Sequence, residues 1–220
     1  MKSFSNTVEK AVAARLEGRV PAPVKHVEAG QPLFHEGDMA NTVFQVIDGV
    51  VRTSKLLSNG KRQIISFCYP GDLVGISHDQ SYHTECEAVS DVHLRVFRKN
   101  AGNIRFGDDP EIVELLLHFA AMEVANMQEH FLMLGCKTAT EKVASFLLSL
   151  ACRSGVPGQL GISVSLPMKR ADIADYLGVT IETVSRTITK LKTTGVIFLP
   201  DPHNVCITDM EALKSAAEKN

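Results

Sequence analysis

Residues 170–194, RADIADYLGVTIETVSRTITKLKTT, constrain this chain more than any other stretch. They read as a helix, a tight turn at Gly178 and a second helix ended by Gly195. Ile173, Ala174 and Leu177 fall on one face of the first helix, and Val184, Ile188 and Leu191 on one face of the second. Two short helices joined by a glycine turn make a helix-turn-helix, the motif that sets its second helix in the DNA major groove. Ala174 is small enough for close helix approach. Gly178 can take the positive φ of the turn, and Val179 and Val184 fill the angle between the helices.

The polar positions of the second helix carry the chemistry. Thr180 is a favourable N-cap, and Glu182, Ser185 and Arg186 stand at i, i+3 and i+4 on one face near the helix start. An arginine can fork onto guanine O6 and N7, a glutamate can accept from cytosine N4, and a serine can serve either base. A Glu–Arg pair on a solvated helix would look the same in isolation. The complete motif, followed by a wing, favours base reading. Lys169 and Arg170 stand at the start of the first helix, where cations and backbone amides grip phosphate, with a solvated cation pair as the competing reading; Thr180 and Thr183 are assigned the phosphate role at the start of the second.

The whole-chain balance of charge gives no nucleic-acid signal, because the net charge is −2. The halves differ: residues 1–135 carry 13 Lys+Arg against 17 Asp+Glu, and residues 136–220 carry 10 against 8. DNA binding must therefore rest on where charge is placed, not on a broad cationic field. Hydrophobic content of 45% and charged content of 22% are ordinary for a soluble globular chain. No apolar run approaches the ~20 residues of a membrane span. The start, MKSFSNTVEK, has no secretory core, so a cytoplasmic location is expected. The five cysteines, Cys68, Cys86, Cys136, Cys152 and Cys206, are then expected as thiols, and none is spaced as a metal knuckle.

An amphipathic helix is expected over residues 6–17. From 25 to 98, short β-branched runs (43–46, 50–53, 64–67, 92–97) alternate with turn signals about every ten residues. That spacing predicts an antiparallel barrel, roll or sandwich. Asn59-Gly60 predicts a type I′ hairpin pairing residues 51–57 with 63–68. From about 109 the period becomes helical. Val113, Leu117, Ala120, Val124, Met127, Phe131 and Leu134 keep an unbroken a/d register, and Leu115, Phe119 and Met122 make a second stripe. A single long core helix is the competing reading, but two stripes on one helix are hard to bury within one small domain, which favours a homodimer seam along the first. Gly135 is expected to break this helix, and Thr138 with Glu141 to cap the next, to about Arg153. Strands at 196–199 and 204–208 around Asp201-Pro202-His203 predict a wing, and Thr208 with Glu211 a capping box for a closing helix. The expected fold is α+β: an antiparallel β-roll domain (1–108), a dimerisation helix (109–135) and a winged helix-turn-helix domain (136–220).

This order, with EGD at 36–38, DG at 48–49, PGD at 70–72 and IETVSR at 181–186, resembles the CRP/FNR superfamily of bacterial transcription regulators over nearly the whole chain. The resemblance implies a cyclic-nucleotide-binding-like jelly roll, a homodimer, double-stranded DNA and RNA polymerase as partners. Glu182, Ser185 and Arg186 match the E-x-x-S-R of the FNR branch, which implies a TTGAT half-site and its inverted partner. Two departures narrow the subgroup. No cysteine precedes Cys68, so the clustered ligands of an iron–sulfur sensor are missing. Residues 71–87 contain no arginine to hold a cyclic-nucleotide phosphate, and Glu85 and Glu87 would repel one. The chain is most similar to the FixK-type subgroup, tied to microaerobic, respiratory and nitrogen-fixation genes.

His78, His83 and Cys86 lie together in the sequence where relatives bind effectors, and His and Cys are haem ligands. The competing reading is a polar surface loop, with Cys68 and Cys86 as core thiols, and no cofactor or metal is assigned. No nucleophile–base–orienter pattern is present, so an enzyme is not expected. Two functional classes stand: a homodimeric transcription factor, and a sensor whose DNA binding requires haem or an unknown small molecule in the β-roll.

Overall fold

The computed structural model describes residues 22–98 and 110–218; side chains before Leu117 in the long helix, and those of residues 118, 119 and 122, lie outside the description. The helix expected over residues 6–17 also lies outside it. The described chain forms two compact units, divided at Val124 within that long helix.

The first unit holds β1 (Val24–Val27), β2 (Pro32–Phe34), β3 (Thr42–Asp48), β4 (Val51–Leu56), β5 (Arg62–Cys68), β6 (Leu73–Val74), β7 (Glu85–Ala88) and β8 (Val92–Arg98). They build two four-stranded antiparallel sheets, ordered β1-β8-β3-β6 and β2-β7-β4-β5. Val27, Phe44, Val46, Val74, Val92 and Leu94 of the first sheet and Phe34, Val51, Cys68, Cys86 and Ala88 of the second share one buried core with Tyr82. Each large aliphatic side chain buried there contributes roughly 1.5–3 kcal/mol. This is the expected roll, with all connections antiparallel.

The β4–β5 hairpin pairs the expected segments, from Val51 opposite Cys68 to Leu56 opposite Arg62, with a register shift between Thr53 and Ser54. Its turn differs from the expectation. The Leu57 amide donates to the Lys61 carbonyl, and the Gly60 amide to that of Leu57. Three residues therefore form the loop, with Gly60 left-handed at φ 77°. A turn followed by a left-handed glycine is the three-residue hairpin, not the two-residue type I′ form.

The long helix α1 spans Pro110–Cys136 and α2 spans Ala139–Ser154. The helix runs through Gly135, which costs only about 1 kcal/mol relative to alanine and does not break it. Thr138 and Glu141 form the expected capping box on α2. The rest of the second unit comprises β9 (Val156–Gly158), β10 (Gly161–Ser165), α3 (Arg170–Leu177), α4 (Ile181–Thr193), β11 (Ile197–Asp201), β12 (Asn204–Ile207) and α5 (Met210–Ala217). The expected wing, β11 and β12, joins β10 and β9 in a four-stranded sheet ordered β11-β12-β10-β9. The closing helix is capped by Asp209, whose side chain accepts from the Ala212 amide. Thr208 is not its cap, because its hydroxyl donates to the Gly195 carbonyl. Among the described residues, no helix is long and apolar enough to cross a membrane.

Candidate nucleic-acid interface

The helix-turn-helix is built as its sequence dictates. α3 buries Ile173, Ala174 and Leu177, and α4 buries Val184, Thr187, Ile188 and Leu191. Val143, Phe146, Leu147 and Leu150 of α2 are buried beside them, and α2 packs on α3, α4, α5 and β10. Gly178 ends α3 in the left-handed region, at φ 62°. The Val179 amide then donates back to the Ala174 carbonyl, which closes the turn. Thr180 caps α4, its hydroxyl accepting from the Thr183 amide at 3.2 Å and lying 3.1 Å from the Thr183 hydroxyl.

With one face of α4 buried, Glu182, Ser185 and Arg186 are all exposed on the other. The Glu182 carboxyl is held below the usual range by its own backbone amide, by the Thr180 hydroxyl and by the charge of Arg186. It is therefore an ionised acceptor, and it shares one solvent-facing surface with the donor fork of Arg186. At the far end of α4, Lys190 and Lys192 stand where cations complement the helix dipole.

The residues assigned to phosphate lie at the two helix starts. Lys169 is exposed and its amide donates to Asp172 at 3.2 Å. Arg170 is half-buried; burial pushes the guanidinium pKa down, and its Nη1 is buried without a hydrogen-bond partner. Thr180 is exposed and Thr183 half-buried.

The expected seam residues of α1 divide. Leu117 and Phe131 are 71% and 76% exposed, Val124 and Met127 54% and 62%, and Ala120 is exposed. Val124, Met127, Phe131, Leu132 and Gln128 line a shallow apolar hollow. Leu134 is half-buried and turns toward the motif, its Cδ2 lying 3.9 Å from where a Cβ on Gly178 would stand. The side chains of Val113, Leu115, Phe119 and Met122 lie outside the description.

In the β-roll, the window 71–87 is less repulsive than its sequence suggests. Glu87 is paired with Arg52 at 2.9 Å and Glu85 accepts from Ser54 at 2.7 Å. Cys86 is fully buried and its thiol is pushed well up by burial, with Cys68 beside it. His78 and His83 are exposed, so the fold separates them from Cys86. Cys68 and Cys206 are buried, Cys136 and Cys152 exposed, and none is in a disulfide.

A β-roll carrying a winged helix-turn-helix defines a class, the DNA-binding transcription regulators. Residues 24–102 match the cyclic nucleotide-binding domain family and residues 141–216 the Crp-like helix-turn-helix domain family. The chain is 44% identical over 183 residues to the nitrogen fixation regulation protein FixK of Azorhizobium caulinodans, covering 83% of this chain and 74% of that protein. It is 37% identical over 214 residues to FixK of Rhizobium meliloti, covering 97% and 95%. The solved structure of FixK2 from Bradyrhizobium japonicum superposes with a TM-score of 0.83 at 34% identity, covering 91% of this chain and 100% of that one. The chain belongs to the CRP/FNR family of transcription regulators, with FixK-type proteins among its relatives, and is not an enzyme.

Proposed function

We propose that the chain acts as a homodimer that reads an FNR-like palindrome, TTGAT with ATCAA, through Glu182, Ser185 and Arg186. The carrying observation is that these three side chains share the exposed face of α4 while its other face is buried. Arg186 is assigned to the guanine of the half-site, Glu182 to the opposing cytosine, and Ser185 to a neighbouring base edge. Lys169, Arg170, Thr180 and Thr183 hold the backbone phosphates and fix the register.

Dimerisation runs along α1, through Val113, Leu117, Ala120, Val124, Met127, Phe131 and Leu134. An apolar stripe with Phe131 and Leu117 standing in solvent is the kind of surface a second helix covers. Residues 1–108 serve as a sensor-like roll, 109–135 as the dimer helix and 136–220 as the DNA-binding domain. Two recognition helices then meet half-sites about one helical turn apart. The names of the FixK relatives favour nitrogen-fixation genes as targets, and the FixK-type resemblance of the sequence extends the expectation to respiratory and microaerobic genes. RNA polymerase is the expected protein partner, and the cytoplasm the expected location.

DNA binding requires neither cyclic AMP nor a cluster in this reading. Cys68 is the first cysteine, and the cations that reach the 71–87 window are committed, Arg52 to Glu87 and Lys55 to Glu36 and the His83 carbonyl. The test is a titration of air-purified protein onto a TTGAT palindrome with and without cyclic AMP. Equal binding in both arms is expected. A requirement for the nucleotide, or activity only after anaerobic cluster reconstitution, would overturn the reading.

A further inference from the structure

We infer that His78, Asp79 and His83 form a site for a divalent transition-metal ion of the zinc type. They lie in the connection between β6 and β7, away from the DNA-reading residues in sequence and on the other compact unit. One ligand atom from each lies within 4.8 Å of the other two. His83 Nε2 is 2.5 Å from one Asp79 oxygen and His78 Nε2 is 3.4 Å from the other. The two imidazole rings stack with centroids 5.6 Å apart and planes 23° apart. A tetrahedral ion with bonds of about 2.0–2.1 Å needs its donor atoms roughly 3.3–3.4 Å apart. The three donors, all within 4.8 Å of one another, reach that spacing with shifts of roughly 1–1.5 Å at exposed side-chain tips.

The donor set selects the ion. Two imidazoles and one carboxylate suit zinc, copper, nickel or iron, whereas calcium and magnesium require shells of oxygen. The backbone that carries the donors is held at both ends. The Ser77 hydroxyl donates to the Ser81 carbonyl at 2.8 Å and accepts from the Asp79 amide at 3.2 Å. Ser81 bridges to Met39, and buried Tyr82 donates its hydroxyl to the Thr42 carbonyl at 2.6 Å. Little backbone order remains to be created on binding, which favours affinity. The nearby cation, Lys55, is committed: its Nζ lies 2.8 Å from Glu36 and donates to the His83 carbonyl. Three protein ligands on an exposed loop leave the fourth position to water, so the ion is exchangeable, unlike one in a closed four-ligand site.

The test uses the full-length protein stripped with chelator and titrated with Zn²⁺ by calorimetry, with Co²⁺ visible absorption as a second readout of ligand geometry. One ion per chain is expected at this site. His78→Ala and His83→Ala should each weaken Zn²⁺ at least about tenfold, the lower bound for losing even an outer-shell partner, and remove the Co²⁺ spectrum. DNA affinity of the metal-free variants should match that of metal-free wild type, which establishes that they fold. His26 and His93 form another histidine pair, on facing positions of β1 and β8 with rings 5.0 Å apart. His26→Ala should leave Zn²⁺ affinity unchanged. Retention of wild-type affinity in the His78→Ala/His83→Ala double variant, or loss of the ion with His26→Ala alone, would overturn the assignment, as would wild-type protein that takes up no Zn²⁺.

Discussion

His130 of α1 stacks on Tyr176 of α3, with ring centroids 4.2 Å apart and planes 22° apart. The end of the helix that displays Phe131 to solvent thus rests directly on the first helix of the DNA-reading motif. Leu134, beside Gly178, extends the same contact, and Met133 is buried one turn along. Residues 124, 127 and 131 face outward while 130 and 134 face the motif, so a partner on one face bears on the placement of the other.

This stacking has a pH signature. Burial pushes the His130 imidazole down from its ordinary value, and its Nδ1 is buried without a hydrogen-bond partner. The folded unit therefore binds fewer protons than the unfolded chain just below the ordinary imidazole pKa of about 6.5. The sign follows: the contribution is intact above that value and is lost as pH falls from it through the lower folded value. The melting temperature of the full chain should drop as pH falls below the ordinary imidazole value of about 6.5, and His130→Phe, which keeps the stack, should flatten that drop. An unchanged pH slope in the variant would remove His130 as its source.

Val124→Glu with Met127→Glu should give a monomer. Both side chains are more than half exposed in the single chain, so the change leaves folding of the protomer alone. In a dimer it places like charges in a dry seam, a loss of roughly 3–5 kcal/mol for each uncompensated buried charge. Sedimentation should show the monomer, and palindrome binding should fall with it. An intact dimer would locate the interface elsewhere.

Gly178→Ala should reduce stability by about 1–2 kcal/mol through backbone strain alone. A Cβ there would meet nothing closer than the Leu134 Cδ2 at 3.9 Å, so the steric space is available. The φ of 62° is what alanine resists. Denaturant unfolding measures this. A neutral result would mean the turn relaxes to another conformation.

The helix-turn-helix was legible because its signals are local: apolar residues at helical spacing, a glycine in the turn and Thr180 as cap. β7 was not. Glu85-Cys86-Glu87-Ala88 puts two carboxylates in a strand, against propensity, and only partners distant in sequence, Ser54 and Arg52, make that placement favourable. β9 and β10 were missed for a similar reason. Their run is short and rich in glycine, and it becomes a sheet because β12 supplies the register, Ile162 opposite Ile207. Asp209 displaced Thr208 as a cap because the Gly195 carbonyl, remote in sequence, takes the Thr208 hydroxyl. Among candidate sites, sequence spacing grouped His78, His83 and Cys86. The alternation of strand faces buries Cys86, and the neighbour that joins the histidines is Asp79.

Base discrimination by Arg186→Ala tests the central claim most directly. Wild-type and variant protein are titrated onto TTGAT palindromes in which the G·C pair is kept or replaced, at one fixed salt concentration. Loss of a bidentate guanine contact should remove about 1–3 kcal/mol of preference at that pair, while the variant stays folded and keeps its weaker, sequence-independent binding. A variant that prefers the original pair by the wild-type ratio would contradict the assignment of α4 as the base-reading helix through Arg186.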